Sequence, residues 1–317
     1  MKTMEKSALN RAISSIKEIL PKTLKTCLWL IRITTIVTLG VLFLEYFNIL
    51  PWISKALNPI FNLIGLPGEA ALAYVSGYFV NVYSAIAVIS TLNLDIRSIT
   101  ILAVMILCSH NMITETAVLK KTGSSAIRMV VIRTAAAFIL GFTLNLIMPE
   151  VQQGLKIEII EANLSLVQML KEWFFDTLYL IVLMSTLIFA LSIIQRLLTE
   201  FGVIKWLSKI FSPVLTFFGL PPKTSFLWIV ANTLGLAYGA AVMIDEAESG
   251  NVTKKEIDLL NHHIAISHSN LEDVLLLASV GAIIWWLLVA RWLFAFVLVW
   301  ELRLEIVIKK KIFNFVG

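Results

Sequence analysis

The sequence predicts an all-α integral membrane protein of two inverted repeats, each with three spanning helices, a re-entrant helical hairpin and an amphipathic interfacial helix. Three observations carry this. The chain has 317 residues, 58% hydrophobic and only 15% charged, whereas soluble domains run ~45–50% apolar and ~25% charged. Its mean hydropathy is +0.86, and apolar runs such as 28–44 and 275–300 approach or exceed the ~20 helical residues that cross a ~30 Å hydrocarbon core. The chain also repeats itself. Pro51-Trp52-Ile53-Ser54-Lys55 returns as Lys205-Trp206-Leu207-Ser208-Lys209, and Gly65-Leu66-Pro67 as Gly219-Leu220-Pro221, offset by 154 residues. After a four-residue insertion near Glu248 the offset is 158, so that Ser109-His110 matches Ser267-His268, Glu115 matches Asp273 and Arg133 matches Arg291.

Residues 1–25 carry Lys2, Lys6, Arg11, Lys17, Lys22 and Lys25, with Leu9, Ile13, Ile16 and Leu20 at helical spacing. This pattern predicts an amphipathic helix on the cytoplasmic leaflet, and without a cleavable apolar core it is no signal peptide. The first repeat, 26–148, holds a spanning helix at 26–46 and an interfacial segment ending in Gly65-Leu66-Pro67. An apolar stretch at 68–91 and helices at 98–118 and 127–148 complete it. An external amphipathic connector covers 149–177. The second repeat, 178–301, has the same parts at 178–198, 222–245, 261–281 and 283–301, and a basic cytoplasmic tail follows at 302–317.

Charge distribution decides whether 68–91 and 222–245 cross the membrane or turn back, because Lys and Arg accumulate on the cytoplasmic side. If both turn back, the inside receives 19 Lys/Arg and the outside four, Lys55, Arg97, Lys156 and Lys171. If both cross, the split falls to 15 against 8. Re-entrant hairpins are therefore expected. Three crossings per copy is an odd number, so the second copy enters the membrane upside down, the plan of secondary transporters with a solute site near the midplane. The expected location is the cytoplasmic membrane, with both termini on the cytoplasmic side.

The polar residues inside apolar helices mark the candidate site, because such groups are expensive in hydrocarbon and normally face a cavity or one another. Ser109, His110, Asn111 and Glu115 recur in the second copy as Ser267, His268, Ser269 and Asp273, with Glu272 beside them. If the helices are continuous, Asn111 with Glu115 and Ser269 with Asp273 share a face; if they unwind at Ser-His, backbone groups join the site. Two histidines and two carboxylates, His110, Glu115, His268 and Asp273, form an N/O donor set for a transition-metal cation. Within the hairpins Asn81 and Asn232 are the tip candidates, each amide offering donor and acceptor. Arg133 and Arg291 are expected to pair with Glu115 and Asp273 or with lipid phosphate, Tyr83 and Tyr238 to pack rather than to stack on a base, and His262 and His263 to sit at a solvated helix end.

Other classes find little support. Cys27 and Cys108 lie far apart in apolar stretches, without a disulfide framework or a CxxC site. The pI of 9.1 reports membrane orientation rather than nucleic-acid binding. No phosphate-binding loop is present, so energy would come from an ion gradient, a partner chain or the solute's own gradient. An enzyme is not expected: adjacent Ser109 and His110 point ~100° apart on a helix, and HExxH is absent.

Gly65-Leu66-Pro67-Gly68, Gly77-Tyr78-Phe79-Val80-Asn81-Val82-Tyr83-Ser84-Ala85-Ile86 and Cys108-Ser109 resemble the motifs of the nucleoside-recognition (Gate) domain. This module occurs twice in the membrane part of FeoB-type ferrous-iron transporters and also in spore-maturation and YjiH-like proteins. The layout is similar to that of concentrative nucleoside transporters. Val80 stands where FeoB-type proteins have cysteine. The resemblance implies transport of a divalent cation or a nucleoside-like molecule at a midplane site, or, from the spore-maturation relatives, a non-transporting scaffold or assembly factor. Apart from a bound cation no cofactor is expected. The expected partners are the lipid bilayer, the solute or ion and a second copy of the chain, and not nucleic acid.

Overall fold

A computed structural model describes residues 8–150 and 165–316, and every regular element among them is helical. The first half contains α1 (Ala8–Tyr46), α2 (Leu50–Phe61), α3 (Ala70–Phe79), α4 (Val82–Ile89), α5 (Ile96–Ser109), α6 (Met112–Lys121) and α7 (Ala126–Ile147). The second half follows in the same order: α8 (Leu166–Glu200), α9 (Val203–Phe217), α10 (Ser225–Thr233), α11 (Leu236–Glu248), α12 (Lys254–Ser267), α13 (Asp273–Ser279) and α14 (Ile284–Val316). Among the described residues, four helical stretches are long and apolar enough to cross a membrane: Asn10–Tyr46, Ile96–Lys121, Ala126–Ile147 and Leu166–Glu200. The chain is a membrane protein in contact with the lipid bilayer.

The long helices α1 and α8 run antiparallel: Thr38 Oγ1 lies 3.2 Å from Thr177 Oγ1, and Arg196 reaches Glu18 at 2.7 Å near the other end. Trp173 Nε1 donates to Thr38 Oγ1 at 2.9 Å. Leu180, Met184, Ile188 and Leu191, spaced three and four apart, form the buried stripe of α8, while Tyr179 and Val182 face outward. Water-driven burial is absent between helices in lipid, so hydroxyl contacts and close packing hold such a pair. No break marks the boundary expected near residue 25, because α1 continues through Pro21. α8 likewise begins inside the expected connector, where Ser165 and Gln168 form a reciprocal capping box. Residues 1–7 of the expected amphipathic helix and 151–164 of the connector lie outside the described residues.

In each half the apolar stretch after the Gly-Leu-Pro motif folds back on itself. A Cβ placed on Gly77 would stand 3.2 Å from the Cβ of Ala85, and one on Gly239 would stand 3.0 Å from the Cα of Ala231. Residues eight apart in a straight helix are ~12 Å apart, so α3–α4 and α10–α11 are helical hairpins, and both crossings depend on the missing side chain of glycine. The first turn comes at Val80–Asn81, where the Asn81 side-chain oxygen Oδ1 accepts from Ser84 N at 2.9 Å and caps α4. The second comes at Leu234–Gly235.

The helices expected at 98–118 and 261–281 are interrupted. α5 ends at Ser109 and α6 starts at Met112, while α12 ends at Ser267 and α13 starts at Asp273. Asn111 (φ 49°) and Ser269 (φ 54°) are two of three described non-glycine residues with positive φ, and they stand 158 residues apart, at equivalent positions of the repeat. A left-handed backbone at a side-chain-bearing residue is costly and is kept where surrounding contacts enforce it. Here the hairpins enforce it: Asn111 N donates to Gly77 O at 2.9 Å, Ser269 N to Ala231 O at 3.4 Å and Leu271 N to Asn232 O at 3.2 Å. α5 and α12 are largely buried, with Ile101 through Ser109 fully enclosed.

Candidate functional site

The two helix breaks and the two hairpin turns converge on one cavity of about 220 Å³. The first half lines it with Asn81, Tyr83, His110, Asn111 and Glu115, and the second with Gly235, Ser269, Glu272 and Asp273, among others. His110 and His268 face each other with ring centroids 5.0 Å apart. In each, Nδ1 lies against a carbonyl of the preceding turn, Ile106 O at 3.2 Å and Ile264 O at 2.7 Å. A carbonyl only accepts, so Nδ1 carries the proton and Nε2 is turned toward the partner residues. Both Nε2 atoms stand 3.1 Å from the same oxygen, Glu115 Oε1, and that of His110 is also 3.3 Å from Asp273 Oδ2. Ligand atoms of His110, Glu115 and His268 lie within 4.8 Å of one another.

Two fully buried arginines support the breaks. Arg133 donates to Cys108 O at 3.1 Å and His110 O at 2.7 Å, and its Nη2 pairs with Glu115 Oε2 at 2.5 Å. Arg291 donates to Ile266 O at 3.2 Å, His268 O at 3.1 Å and Asn270 Oδ1 at 2.7 Å. Each guanidinium therefore satisfies carbonyls freed where a helix unwinds, which membrane burial demands. The pairing expected for Arg133 is present; Arg291 instead takes Asn270, and Asp273 turns to His110.

The other expected site residues divide. Ser109 donates to Met105 O at 2.9 Å and sits 3.1 Å from Tyr74 Oη, and Ser267 Oγ lies 2.7 Å from His263 Nδ1, so both serve helix packing outside the cavity. Asn232 is one turn short of its hairpin tip, donating to Trp228 O at 2.8 Å and accepting from Asn270 at 2.6 Å. Glu272 faces the cavity, accepting from Tyr83 Oη at 2.5 Å, with Gln195 Nε2 at 3.4 Å. Tyr83 is thus a site-lining hydrogen-bond donor as well as a packing residue, and Tyr238 is exposed. Gln195 escaped sequence reading because α8 supplies it from outside both polar segments. The solvated end expected for His262 and His263 is corrected: they are 1% and 0% exposed. α12 begins at Lys254, so the pair lies more than a turn inside the helix.

Discontinuous helices and helical hairpins around a small cavity lined by polar residues make this an integral membrane protein with a candidate site at the meeting of its two halves, and the comparisons give its family. The family described as Gate, nucleoside recognition, matches residues 27–126, from the middle of α1 to the start of α7. The uncharacterized membrane protein YvoD of Bacillus subtilis (strain 168) is 31% identical over 259 residues, covering 80% of this chain and 83% of the relative. The chain belongs to the family of this YvoD-type membrane protein and carries the Gate domain in its first half. No solved structure matches it.

Proposed function

We propose that the protein is a secondary transporter or permease whose small polar solute is a divalent transition-metal cation, held between His110, Glu115, His268 and Asp273. The aim of the imidazoles carries this reading: Nδ1 is occupied by a carbonyl in both histidines, and both Nε2 atoms converge on Glu115 Oε1 at 3.1 Å. Metal-binding histidines are oriented in this way by a hydrogen bond to the other ring nitrogen, and imidazole with carboxylate suits Mn²⁺ or Zn²⁺. A nucleoside-like solute has weaker support. The cavity of about 220 Å³ is smaller than the ~300–1,000 Å³ of typical small-molecule sites, and the amides of Asn81 and Asn232 are engaged in capping and packing.

In this reading the two halves are inverted repeats of three crossings each, the hairpins α3–α4 and α10–α11 are re-entrant, and the termini face the cytoplasm. The charge split of 19 to 4 and the equivalent left-handed residues Asn111 and Ser269 support it. The protein has no enzymatic role, and the cation is its cargo.

One observation favours a second reading, a non-transporting scaffold or assembly factor: Arg133 already pairs with Glu115 at 2.5 Å, as a purely structural network would. Thermal unfolding of purified protein with Mn²⁺, Zn²⁺ or nucleosides separates the readings. A cation at 100 times its Kd stabilises the folded state by about 2.7 kcal/mol; His110→Ala and His268→Ala should abolish that response while still inserting. Wild-type cation response and uptake in both variants would eliminate the site.

A further inference from the structure

The halves meet in two reciprocal clasps that differ in strength. In the first, the turn after α6 rests on α12: Ser124 donates to Asp258 Oδ1 at 2.6 Å, and Asn261 Nδ2 donates to Thr122 Oγ1 at 2.8 Å and Ser124 Oγ at 2.9 Å. In the second, the turn after α13 rests on α5, where Ile283 N donates to Thr100 Oγ1 at 3.0 Å. Gly123 (φ +115°) corresponds to Gly281 (φ +110°), and Thr100 to Asp258, each pair 158 residues apart, so equivalent turns meet equivalent helix positions, one through the Ser124 side chain and the other through the Ile283 backbone N–H. Both glycines hold a backbone conformation that side-chain-bearing residues rarely adopt.

A second cavity, of about 1040 Å³, lies at the Gly281 clasp, lined by Ser90, Ile99, Ser279 and Gly281 among others. Two short helices separate it from the candidate site. α4 is capped by Asn81 in the small cavity and by Ser90 in the large one, and α13 runs likewise from Asp273 to Ser279. Eight helical residues span ~12 Å, so the large cavity approaches the site to within about two turns. At the other clasp Thr122, Ser124 and Asn261 are 6%, 5% and 0% exposed.

We infer that the two clasps are the gates of the transport path. In this conformation the Gly123 gate is shut and the site is approached from the Gly281 side; passage of the solute exchanges the two arrangements. The inference rests on the transport reading for the meaning of passage; the Gly123 gate is taken as the shut one because three side-chain hydrogen bonds close it against a single one at the Gly281 clasp. Near-identical copies can trade conformations at little net cost, as inverted-repeat transporters do, and a turn pivoting at glycine is a hinge of the kind that absorbs such motion.

Accessibility tests it. With Cys27 and Cys108 replaced by Ala, a Thr114→Cys reporter in the small cavity is exposed to an impermeant thiol reagent from each face of reconstituted vesicles. Lys121→Cys identifies the face that carries the Gly123 clasp. The reporter should react about tenfold faster from the opposite face, and Asp258→Ala with Asn261→Ala should raise the rate from the Lys121 face by a similar factor. Equal rates from both faces, or no response to the double substitution, would overturn the assignment. A Ser124→Cys, Asp258→Cys pair gives a second measure: oxidation should stop Mn²⁺ flux, leave reporter labelling from the far face intact, and be reversed by reductant. Flux that survives oxidation would also overturn it. Absence of Mn²⁺ flux before oxidation, with the labelling pattern as expected, tells against the cation reading alone.

Discussion

Arg133 and Arg291 stand at equivalent positions, both without exposed surface, yet they hold different partners. Each receives carbonyl oxygens from a helix break, but Arg133 also meets a carboxylate, Glu115 at 2.5 Å, whereas Arg291 meets the neutral amide of Asn270. A buried ion pair contributes little beyond an apolar replacement, but removing one partner strands the other and typically costs ~3–5 kcal/mol. Arg133→Met should therefore destabilise by about that amount, read as a lower unfolding midpoint in detergent, and Arg133→Met with Glu115→Leu should recover part of the loss. An Arg133→Met protein as stable as wild type would show that the pair is not held. The recurrence of Ser-His and a carboxylate made these residues visible in sequence. Which oxygen each arginine takes was not visible, because that follows from where the helices unwind. His262 and His263 show the same limit: their place at the end of the helix expected at 261–281 suggested solvent, while α12 begins earlier, at Lys254, and buries them.

At the scale of elements, the repeat made the order of parts legible, and the charge distribution pointed to the stretches 68–91 and 222–245 turning back, which fold as the helical hairpins α3–α4 and α10–α11. The interruptions at His110 and His268 were left open by composition, since both stretches are apolar enough to continue. They are decided by tertiary hydrogen bonds from Asn111 and Ser269 to the hairpin carbonyls, contacts between segments distant in sequence. The hairpins themselves depend on glycine at their crossings. A Cβ on Gly239 would meet backbone, Ala231 Cα at 3.0 Å, whereas one on Gly77 would meet side-chain atoms of Ile106 and Ala85 at 3.1 and 3.2 Å. Backbone yields less than side chains, so Gly239→Ala should be the more damaging, by the ~1–3 kcal/mol typical of overpacking. Unfolding midpoints of the two alanine variants, measured side by side, check this order. Equal midpoints would mean that the second hairpin is looser than its geometry implies.

At the scale of the whole molecule, polar contacts sort the helix ends into two sets. Arg97 at the start of α5 donates to Asn145 O and Oδ1 at 2.5 and 2.8 Å near the end of α7, which joins those ends on one side. Arg128 at the start of α7 pairs with Glu305 of α14 at 2.7 Å, and Arg196 with Glu18 at 2.7 Å. Ser124 beside Arg128 reaches Asp258 near the start of α12. The interrupted span Ile96–Lys121 has 26 residues, ~39 Å if helical throughout, longer than the ~30 Å hydrocarbon core. Arg97 and Lys121 must then lie on opposite faces, and α7 returns the chain to the Arg97 side. In the proposed orientation Lys120, Lys121, Arg128 and Arg196 share the other side, the cytoplasmic one by the excess of Lys and Arg. Single cysteines at Lys121, Arg196 and Lys254 should be protected from an impermeant reagent in intact cells and labelled after permeabilisation, whereas a cysteine at Arg97 should label without it. Labelling at Lys121 in intact cells would invert the orientation. Labelling at Lys254 but not Lys121 would be more damaging, because it would break the proposed plan of three crossings in each half.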